Sequence, residues 1–296
     1  MSKKHKPIPL AYPLQAAGAF VLFALFGLLP LDAASALGGL LGRAIGPFLP
    51  HSRLAARNLT RAMPELRREE VKRVVRGMWD NLGRVVAEYP HLHRIACYDG
   101  SRVEVVGAEG IDLIRDDHKG AIFFSGHLGN WEISSLAATQ RGMPIIHIYR
   151  APNNPIVDRL IFKFRARAIT GEHFPKGTEG GRQIMRHLAK GRHLGMLVDQ
   201  KLNEGIPAPF FGRDAMTMTA LAAFALKFRV PIVPVRVERL KGARFRITVL
   251  PPMEVADTGE READIARVMG DVNALLAGWI RERPEQWLWV HRRWPD

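Results

Sequence analysis

From about Arg102 onward, short apolar runs alternate with stretches of helical periodicity, and this restricts the fold more than any other feature of the chain. Runs at Val103–Val106, Ala121–Phe124, Ile145–Tyr149, Leu194–Val198, Ile232–Val237 and Phe245–Leu250 read as strands. Helical patterns fill most of the gaps, at Trp131–Thr139, Ile156–Ala168, Gly181–Ala189, Thr219–Phe228 and Arg261–Arg281. The alternation predicts an α/β sheet covered by helices, with Thr219 placed to cap the helix that follows it. In open sheets of this class, ligands bind beyond the carboxyl ends of the strands. Polar residues at strand ends are therefore the first candidates for chemistry.

The N-terminal third reads differently. Arg53–Ala62 and Leu66–Glu88 are helical. In the second, Val71, Val74, Val75, Met78, Leu82, Val85 and Val86 form one apolar stripe opposite a solvated face of Arg and Glu. Before them, a basic cluster from Lys3 to Lys6 precedes an uncharged run from Pro7 to Leu31. As a helix, Leu14 to Leu29 reaches only about 24 Å, short of the roughly 30 Å hydrocarbon core. It is a marginal span or an in-plane anchor, and Ala33 to Leu49, with Arg43 as its one charge, could continue the contact. A cleaved signal peptide is the rival reading, because Ala34-Ser35-Ala36 resembles a cleavage site. The retained anchor is preferred, with the lysines on the cytoplasmic side. Residues 1–50 are thus expected to form a membrane-anchor region and residues 51–296 the catalytic domain.

Charge narrows the partners. There are 43 Lys and Arg against 29 Asp and Glu, a formal net charge of +14, which suits nucleic acid, an anionic membrane, or an acidic protein or substrate. No nucleic-acid-binding motif accompanies it, so a nucleic-acid partner is not expected. Cys97 is the single cysteine, which excludes an internal disulfide and a cysteine metal cluster. The histidines are scattered without an H-E-x-x-H pattern, and no metal is expected.

Several strand ends carry candidate chemistry. In Phe123-Phe124-Ser125-Gly126-His127-Leu128-Gly129-Asn130-Trp131-Glu132 a buried strand runs into a glycine-rich turn holding His127, with Glu132 five residues on. On a regular helix such a spacing sets two side chains about 140° apart. The pair meets only if His127 lies in the turn and Glu132 in the first turn of the next helix. The imidazole would then take a proton from a hydroxyl while the carboxylate held its other nitrogen. The alternative is a loop histidine followed by a glutamate that favours the helix dipole. Ser125 lacks a nucleophile-elbow context, so direct attack by a substrate hydroxyl is the simpler scheme. Arg150, in Tyr149–Pro155, could hold a phosphate or a carbonyl oxygen, or pair with a carboxylate. Asp199, in Leu197–Gln200, is functional or a turn cap. The segment Pro207–Gly212 lines an acyl channel or packs as a loop. Glu285–Trp294, with three tryptophans and two arginines, suits a membrane interface or base stacking.

Together, "SGHLGNWE", "YRAPNNP", "DQ", "PFFG" and "PEQWLWVHRRW" stand in the order expected of the late acyltransferases of lipid A biosynthesis, the lauroyl/myristoyl type, and "ARNLTRAMPE" (Ala56 to Glu65) resembles their N-terminal region. The HxxxxE element is shared with the wider glycerolipid acyltransferase group, where Asp is common at the second position. Glu132 preceded by Asn130 and Trp131 favours the lipid A branch. The resemblance spans nearly the whole chain. It implies a mixed central sheet flanked by helices, like that of glycerolipid acyltransferases, behind an N-terminal anchor helix. It implies transfer of a fatty acyl chain from acyl carrier protein to a hydroxyl of a lipid A precursor, at the cytoplasmic face of the bacterial inner membrane, with no metal or organic cofactor. His127 maps onto the general base and Glu132 onto its partner. Arg150, Asn130 and Asp199 map onto substrate-binding positions. The basic excess would serve an acidic carrier protein, a phosphorylated acceptor and an anionic leaflet. A glycerophospholipid or other glycolipid acceptor is the alternative within the same chemistry.

Overall fold

The structure is a computed structural model and describes residues 9, 11–117, 119–149, 152–175 and 177–294; the Lys3–Lys6 cluster and Arg150 lie outside the described residues. Two apolar helices come first, α1 (Ala11–Leu28) and α2 (Leu31–Ile45). Helices α3 (His51–Ala62) and α4 (Arg68–Glu88) follow, then a 3-10 segment, Tyr89–Arg94. The alternating part runs β1 (Val103–Val106), α5 (Ala108–Asp116), β2 (Ile122–Ser125), α6 (Glu132–Gln140), β3 (Ile145–Tyr149), α7 (Pro155–Ala168), β4 (His173–Pro175), α8 (Thr178–Leu188) and β5 (His193–Leu197). It continues through β6 (Ile206–Phe210), β7 (Arg213–Thr217), α9 (Ala220–Phe228), β8 (Ile232–Lys241), β9 (Arg244–Val249) and α10 (Arg261–Glu282) to a 3-10 turn at Pro284–Gln286.

Seven strands form one sheet in the order β1-β9-β8-β2-β5-β3-β4. Only the β8–β9 pair is antiparallel. This is the mixed sheet flanked by helices that the resemblance implies. Strand β2 sits between β8 and β5 and is buried at every position, which is why Ile122-Phe123-Phe124 is continuously apolar instead of alternating. On one face, Ile122, Phe124, Leu194 and Met196 pack with α3, α8, α9 and α10. On the other, Phe123, Ile145, Val235 and Ile247 pack with α5, α6 and the Tyr89–Arg94 segment. Helix α4 serves both cores, Met78 in the first and Val85 in the second.

Helices α2 and α4 cross at very short range. A Cβ on Gly38 or Gly42 would collide with the α4 backbone, and one on Gly83 with that of α2. Small residues at such a crossing let two helices approach backbone to backbone. Helix α1 is long and apolar enough to cross a membrane by length and composition.

Three expectations change. Thr219 precedes α9, but its side chain makes no capping bond. The Pro207–Gly212 segment is neither loop nor channel wall. It is β6 of a two-stranded hairpin whose turn, Phe211-Gly212, has φ of 55° and 71°, the positive values that a two-residue hairpin turn requires. Pro207 and Pro209 occupy alternate positions, leaving Ile206, Ala208 and Phe210 to donate. The tryptophans of Glu285–Trp294 do not face a membrane: Trp287, Trp289 and Trp294 are 1%, 0% and 4% exposed. They pack against Phe210 and Phe211, because the hairpin folds back over the segment and covers it.

Candidate active site

Strands β2 and β5 run in parallel, with Ser125 opposite Leu197. Two residues beyond each lie His127 and Asp199, so the register itself brings them side by side. His127 Nδ1 lies 2.8 Å from Asp199 Oδ1, and the His127 backbone N–H donates to Oδ2 at 2.8 Å. Trp287 Nε1 donates to Oδ2 at 2.7 Å. Asp199 is fully buried. Burial alone would raise its pKa, but the His127 imidazole, the His127 amide and the Trp287 indole hold it well below the usual carboxylate range. With Asp199 ionised, Nδ1 carries the ring proton and Nε2 is left as an acceptor. That nitrogen accepts from Gln200 Nε2 at 3.2 Å, and the same amide donates to His291 Nε2 at 3.1 Å.

Among the described residues Glu132 bonds Arg165, Tyr89 and Trp131, not His127. Gly129 at φ +55° turns the chain, so that Glu132 opens α6 with its side chain directed toward α7 and Tyr89. There it accepts from Arg165 Nε at 2.9 Å on Oε2 and from Arg165 Nη2, Tyr89 Oη at 2.7 Å and Trp131 Nε1 at 3.1 Å on Oε1. Burial raises the Glu132 pKa, and the Arg165 guanidinium and these hydrogen bonds outweigh it, so the carboxylate is depressed and ionised. Arg165 and Glu132 form a buried ion pair. Trp131 links Glu132 to the imidazole: it bonds the carboxylate, and its ring lies edge-on to His127 with centroids 5.1 Å apart.

Asn130 is 1% exposed, and its side chain is committed within the protein. Its Nδ2 donates to Glu88 at 2.8 Å, and its Oδ1 accepts from the Glu132 N–H. Glu88 also takes both terminal nitrogens of Arg239, at 2.5 and 3.0 Å, and the Ser35 hydroxyl of α2. Arg239 Nε donates to Asn81 Oδ1, and Asn81 Nδ2 donates to the carbonyl of Gly129. This buried network fixes the turn between β2 and α6; Asn130 holds the loop and is not among the residues lining the cavity described below. Arg150, the remaining candidate, cannot be placed, since it lies outside the described residues.

A cavity of about 190 Å³ between α6 and the sheet is lined by His127, Glu132, Arg165 and Gln200 and by Ala138, Val235, Ile247 and Ile111. It exists because α6 turns small residues, Ser134, Ala137 and Ala138, toward strands that present Phe123 and Val235. Larger side chains there would close the gap. Ser125 Oγ is buried on the lining and makes no hydrogen bond among the described residues. His147 and His173 lie at the polar end, ring centroids 4.9 Å apart. Burial and the neighbouring His173 push the His147 pKa down to about 3. A second, nearly all-apolar cavity of about 180 Å³ lies on the other side of β5, beside Leu202, Met218 and Phe224. Among the described residues no group of three or more His, Cys, Asp or Glu is placed to hold a metal ion.

Sequence reasoning placed His127, Glu132 and Asp199 around one site and paired His127 with Glu132, whereas the hydrogen bonds join His127 to Asp199 and Glu132 to Arg165. Parallel pairing of the strands ending at Ser125 and Leu197 would have pointed to Asp199, since both residues stand two places past their strands. It missed Arg165, Tyr89 and Gln200. No local pattern marks an arginine inside α7 as the partner of a glutamate 33 positions earlier.

Chemically, the site offers an imidazole whose Nε2 lone pair is set by a buried carboxylate, beside a cavity polar at one end and apolar under α6: equipment for taking a proton from a hydroxyl. A family model for bacterial lipid A biosynthesis acyltransferases matches residues 2–296. The chain is 28% identical over 280 residues to a lipid A biosynthesis lauroyltransferase of Escherichia coli K12, covering 90% of this chain and 86% of that one. It is 24% identical over 279 residues, with the same coverage, to a lipid A biosynthesis palmitoleoyltransferase of Escherichia coli K12 and to a lipid A biosynthesis acyltransferase of Shigella flexneri. With a match over practically its whole length, the chain belongs to the bacterial lipid A biosynthesis acyltransferase family.

Proposed function

We propose that this acyltransferase moves a fatty acyl chain from acyl carrier protein to a hydroxyl of a lipid A precursor, at the cytoplasmic face of the bacterial inner membrane. The observation that carries the reading is the His127–Asp199 pair, with His127 on the wall of a cavity that is polar near His147 and Arg165 and apolar under α6. His127 Nε2 accepts the proton of the acceptor hydroxyl as its oxygen attacks the thioester carbonyl, and Asp199 stabilises the imidazolium that forms. Gln200 leaves Nε2 to admit that hydroxyl. Its amide, the Ser125 hydroxyl and Arg150 are the candidate donors to the carbonyl oxygen as it becomes an oxyanion. Collapse expels the phosphopantetheine thiolate, which the imidazolium reprotonates. The acyl chain occupies the slot under α6. Glu132 acts as a positioning residue: with Arg165 and Tyr89 it holds the start of α6, and through Trp131 the ring of His127. No metal or organic cofactor takes part, since the phosphopantetheine arrives with the donor. The acidic carrier protein, the phosphorylated acceptor and the anionic leaflet all complement the +14 charge.

The test is turnover of purified protein with acyl carrier protein or coenzyme A thioesters as donor, and lipid A precursor or lysophosphatidate as acceptor. Activity with carrier-protein donor and lipid A precursor, lost by about 10²–10⁴-fold in His127→Ala, supports the reading. Activity on lysophosphatidate alone, or near-normal turnover of the variant, refutes it. Mass spectrometry of lipid A from cells with and without the protein identifies the acyl group.

A further inference from the structure

Helix α1 has the length and hydropathy of a short membrane span, yet it does not stand away from the protein. Its covered positions, Tyr12, Ala16, Ala19, Phe23 and Phe26, recur every three or four residues from one end to the other. One stripe of the helix is therefore docked along its whole length. Asn154, at the start of α7, donates to the Tyr12 carbonyl at 2.8 Å. Phe164, near the end of α7, packs its ring at a tilt against Phe23, with centroids 5.2 Å apart. Helices α1 and α7 thus run side by side in the same direction for about 15 Å, ten residues at 1.5 Å each. Beyond that, His91 bonds the Phe26 carbonyl and Tyr89 meets Phe23.

The outer face of α7 decides the orientation. Ile156, Arg159, Phe162, Lys163, Ala166 and Arg167 are exposed along it. A bilayer crossed by α1 would submerge those three cations at hydrocarbon depth with no partner described for them, which membranes do not tolerate. A helix face mixing basic and large apolar residues suits the headgroup region instead.

The exposed face of α1 is apolar, with Leu14, Phe20, Val21, Leu25 and Leu28 between 54% and 83% exposed. Helix α2 continues it. Leu37, Leu40, Leu41 and Ile45 point outward, followed by Phe48 at 86%, while its inner face is locked to α4 by glycine contacts and by Ser35 bonding Glu88. The charges on α2 are both paired, Asp32 with Arg102 and Arg43 with Asp80.

We propose that α1 does not cross the bilayer: α1 and α2 form one apolar platform laid into a single leaflet, with the basic outer face of α7 on anionic headgroups beside it. This rests on the membrane reading above and adds its geometry. The platform is coupled to the active site. Glu88, which Ser35 of α2 bonds, also holds the loop residue Asn130, and α7, which flanks α1, supplies Arg165 to Glu132.

Site-directed spin labelling on vesicles of phosphatidylethanolamine and phosphatidylglycerol tests the proposal. Cys97 is 1% exposed and burial pushes its thiol up to about 12, so it stays unlabelled. Labels placed by Leu14→Cys, Val21→Cys, Leu28→Cys, Leu40→Cys and Phe48→Cys are expected at one shallow depth, about 5–10 Å below the headgroups. A water-soluble paramagnetic relaxant confined to one side of the vesicle should affect labels at positions 14 and 28 alike, from the same side. The pair Leu40→Asp with Phe48→Asp should weaken vesicle partitioning at least about tenfold. Each of Arg159→Gln, Lys163→Gln and Arg167→Gln should weaken it about fivefold at low salt. Position 21 near the midplane, with 14 and 28 open to opposite sides and 40 and 48 in water, would overturn the platform while leaving membrane attachment intact. Spin–spin broadening between copies at 40 and 48 would assign the face to a second chain and also overturn it. Protein that never binds vesicles would remove the membrane reading itself.

Discussion

Replacing Asp199 by asparagine exchanges one carboxylate oxygen for an NH₂ group and tests the central geometry. The carboxylate accepts three hydrogen bonds, from His127 Nδ1 at 2.8 Å, the His127 amide at 2.8 Å and Trp287 Nε1 at 2.7 Å. Two of them share Oδ2, so in Asp199→Asn the side-chain amide oxygen would take that place and the NH₂ group would face Nδ1. A donor there forces the ring proton from Nδ1 to Nε2, the nitrogen that must receive the substrate proton. Loss of the correct tautomer costs about 10³–10⁴-fold in rate, equivalent to about 4–5.5 kcal/mol of barrier. Stability should fall by only about 1–3 kcal/mol, since size and two hydrogen bonds are kept. The assay pairs turnover with ¹⁵N shifts of the His127 ring, assigned by comparison with His127→Gln. Glu132→Gln is the control and should leave the tautomer unchanged. A ring that keeps its proton on Nδ1 in Asp199→Asn, with turnover within tenfold of the parent, would refute the reasoning. A tautomer that switches in the Glu132 variant would refute it equally.

Other perturbations have signs fixed by the same contacts. Glu132→Ala leaves Arg165 buried without its carboxylate and should cost about 3–5 kcal/mol; adding Arg165→Met should restore most of that in a denaturant titration, and equal losses in the single and double variants would contradict the pairing. Ala138→Phe, which fills the slot under α6, should shift the transferred chain to shorter lengths in product mass spectra while leaving unfolding midpoints nearly unchanged. His147, at about 3 when folded against 6.5 when free, binds fewer protons in the folded state. Its contribution is therefore complete above pH 6.5 and is lost as pH falls toward 3, with a slope of up to about 1.4 kcal/mol per pH unit, and His147→Gln should flatten that part of the curve. Asp199, depressed from 3.8, stabilises the fold above that value and loses its contribution as pH falls through its lower folded value, so Asp199→Asn should weaken the acid limb below pH 4.

The sheet was legible best where a strand is buried on both faces, because a continuous apolar run such as Ile122–Phe124 cannot hide. Strands β4, β6 and β7 were not. His173–Pro175 is three residues long, and the prolines in Ile206–Phe210 argue against a strand by local rules. Helix α5 lacked a long stripe, burying only Ile111 and Ile114. In the site, loop chemistry around Gly126 and Gly129 announced His127. Its partner depended on which strands are neighbours, and strand order is a property of the whole fold. The tryptophans misled for a related reason: the composition of Glu285–Trp294 suits an interface, and only the hairpin laid over it makes it a core.

The contact between Trp287 and Asp199 has a consequence for how the enzyme comes into being on the ribosome. Gln286 also bonds the backbone of Gly129 and Arg239, and Asn58 holds the carbonyls of Trp289 and His291. The Pro284–Trp294 stretch is thus a keystone fitted among parts translated long before it. A nascent chain that has already made His127 and Asp199 still lacks the indole that bonds Asp199, so the pair is complete only once the Trp287 segment has left the ribosome and joined the fold.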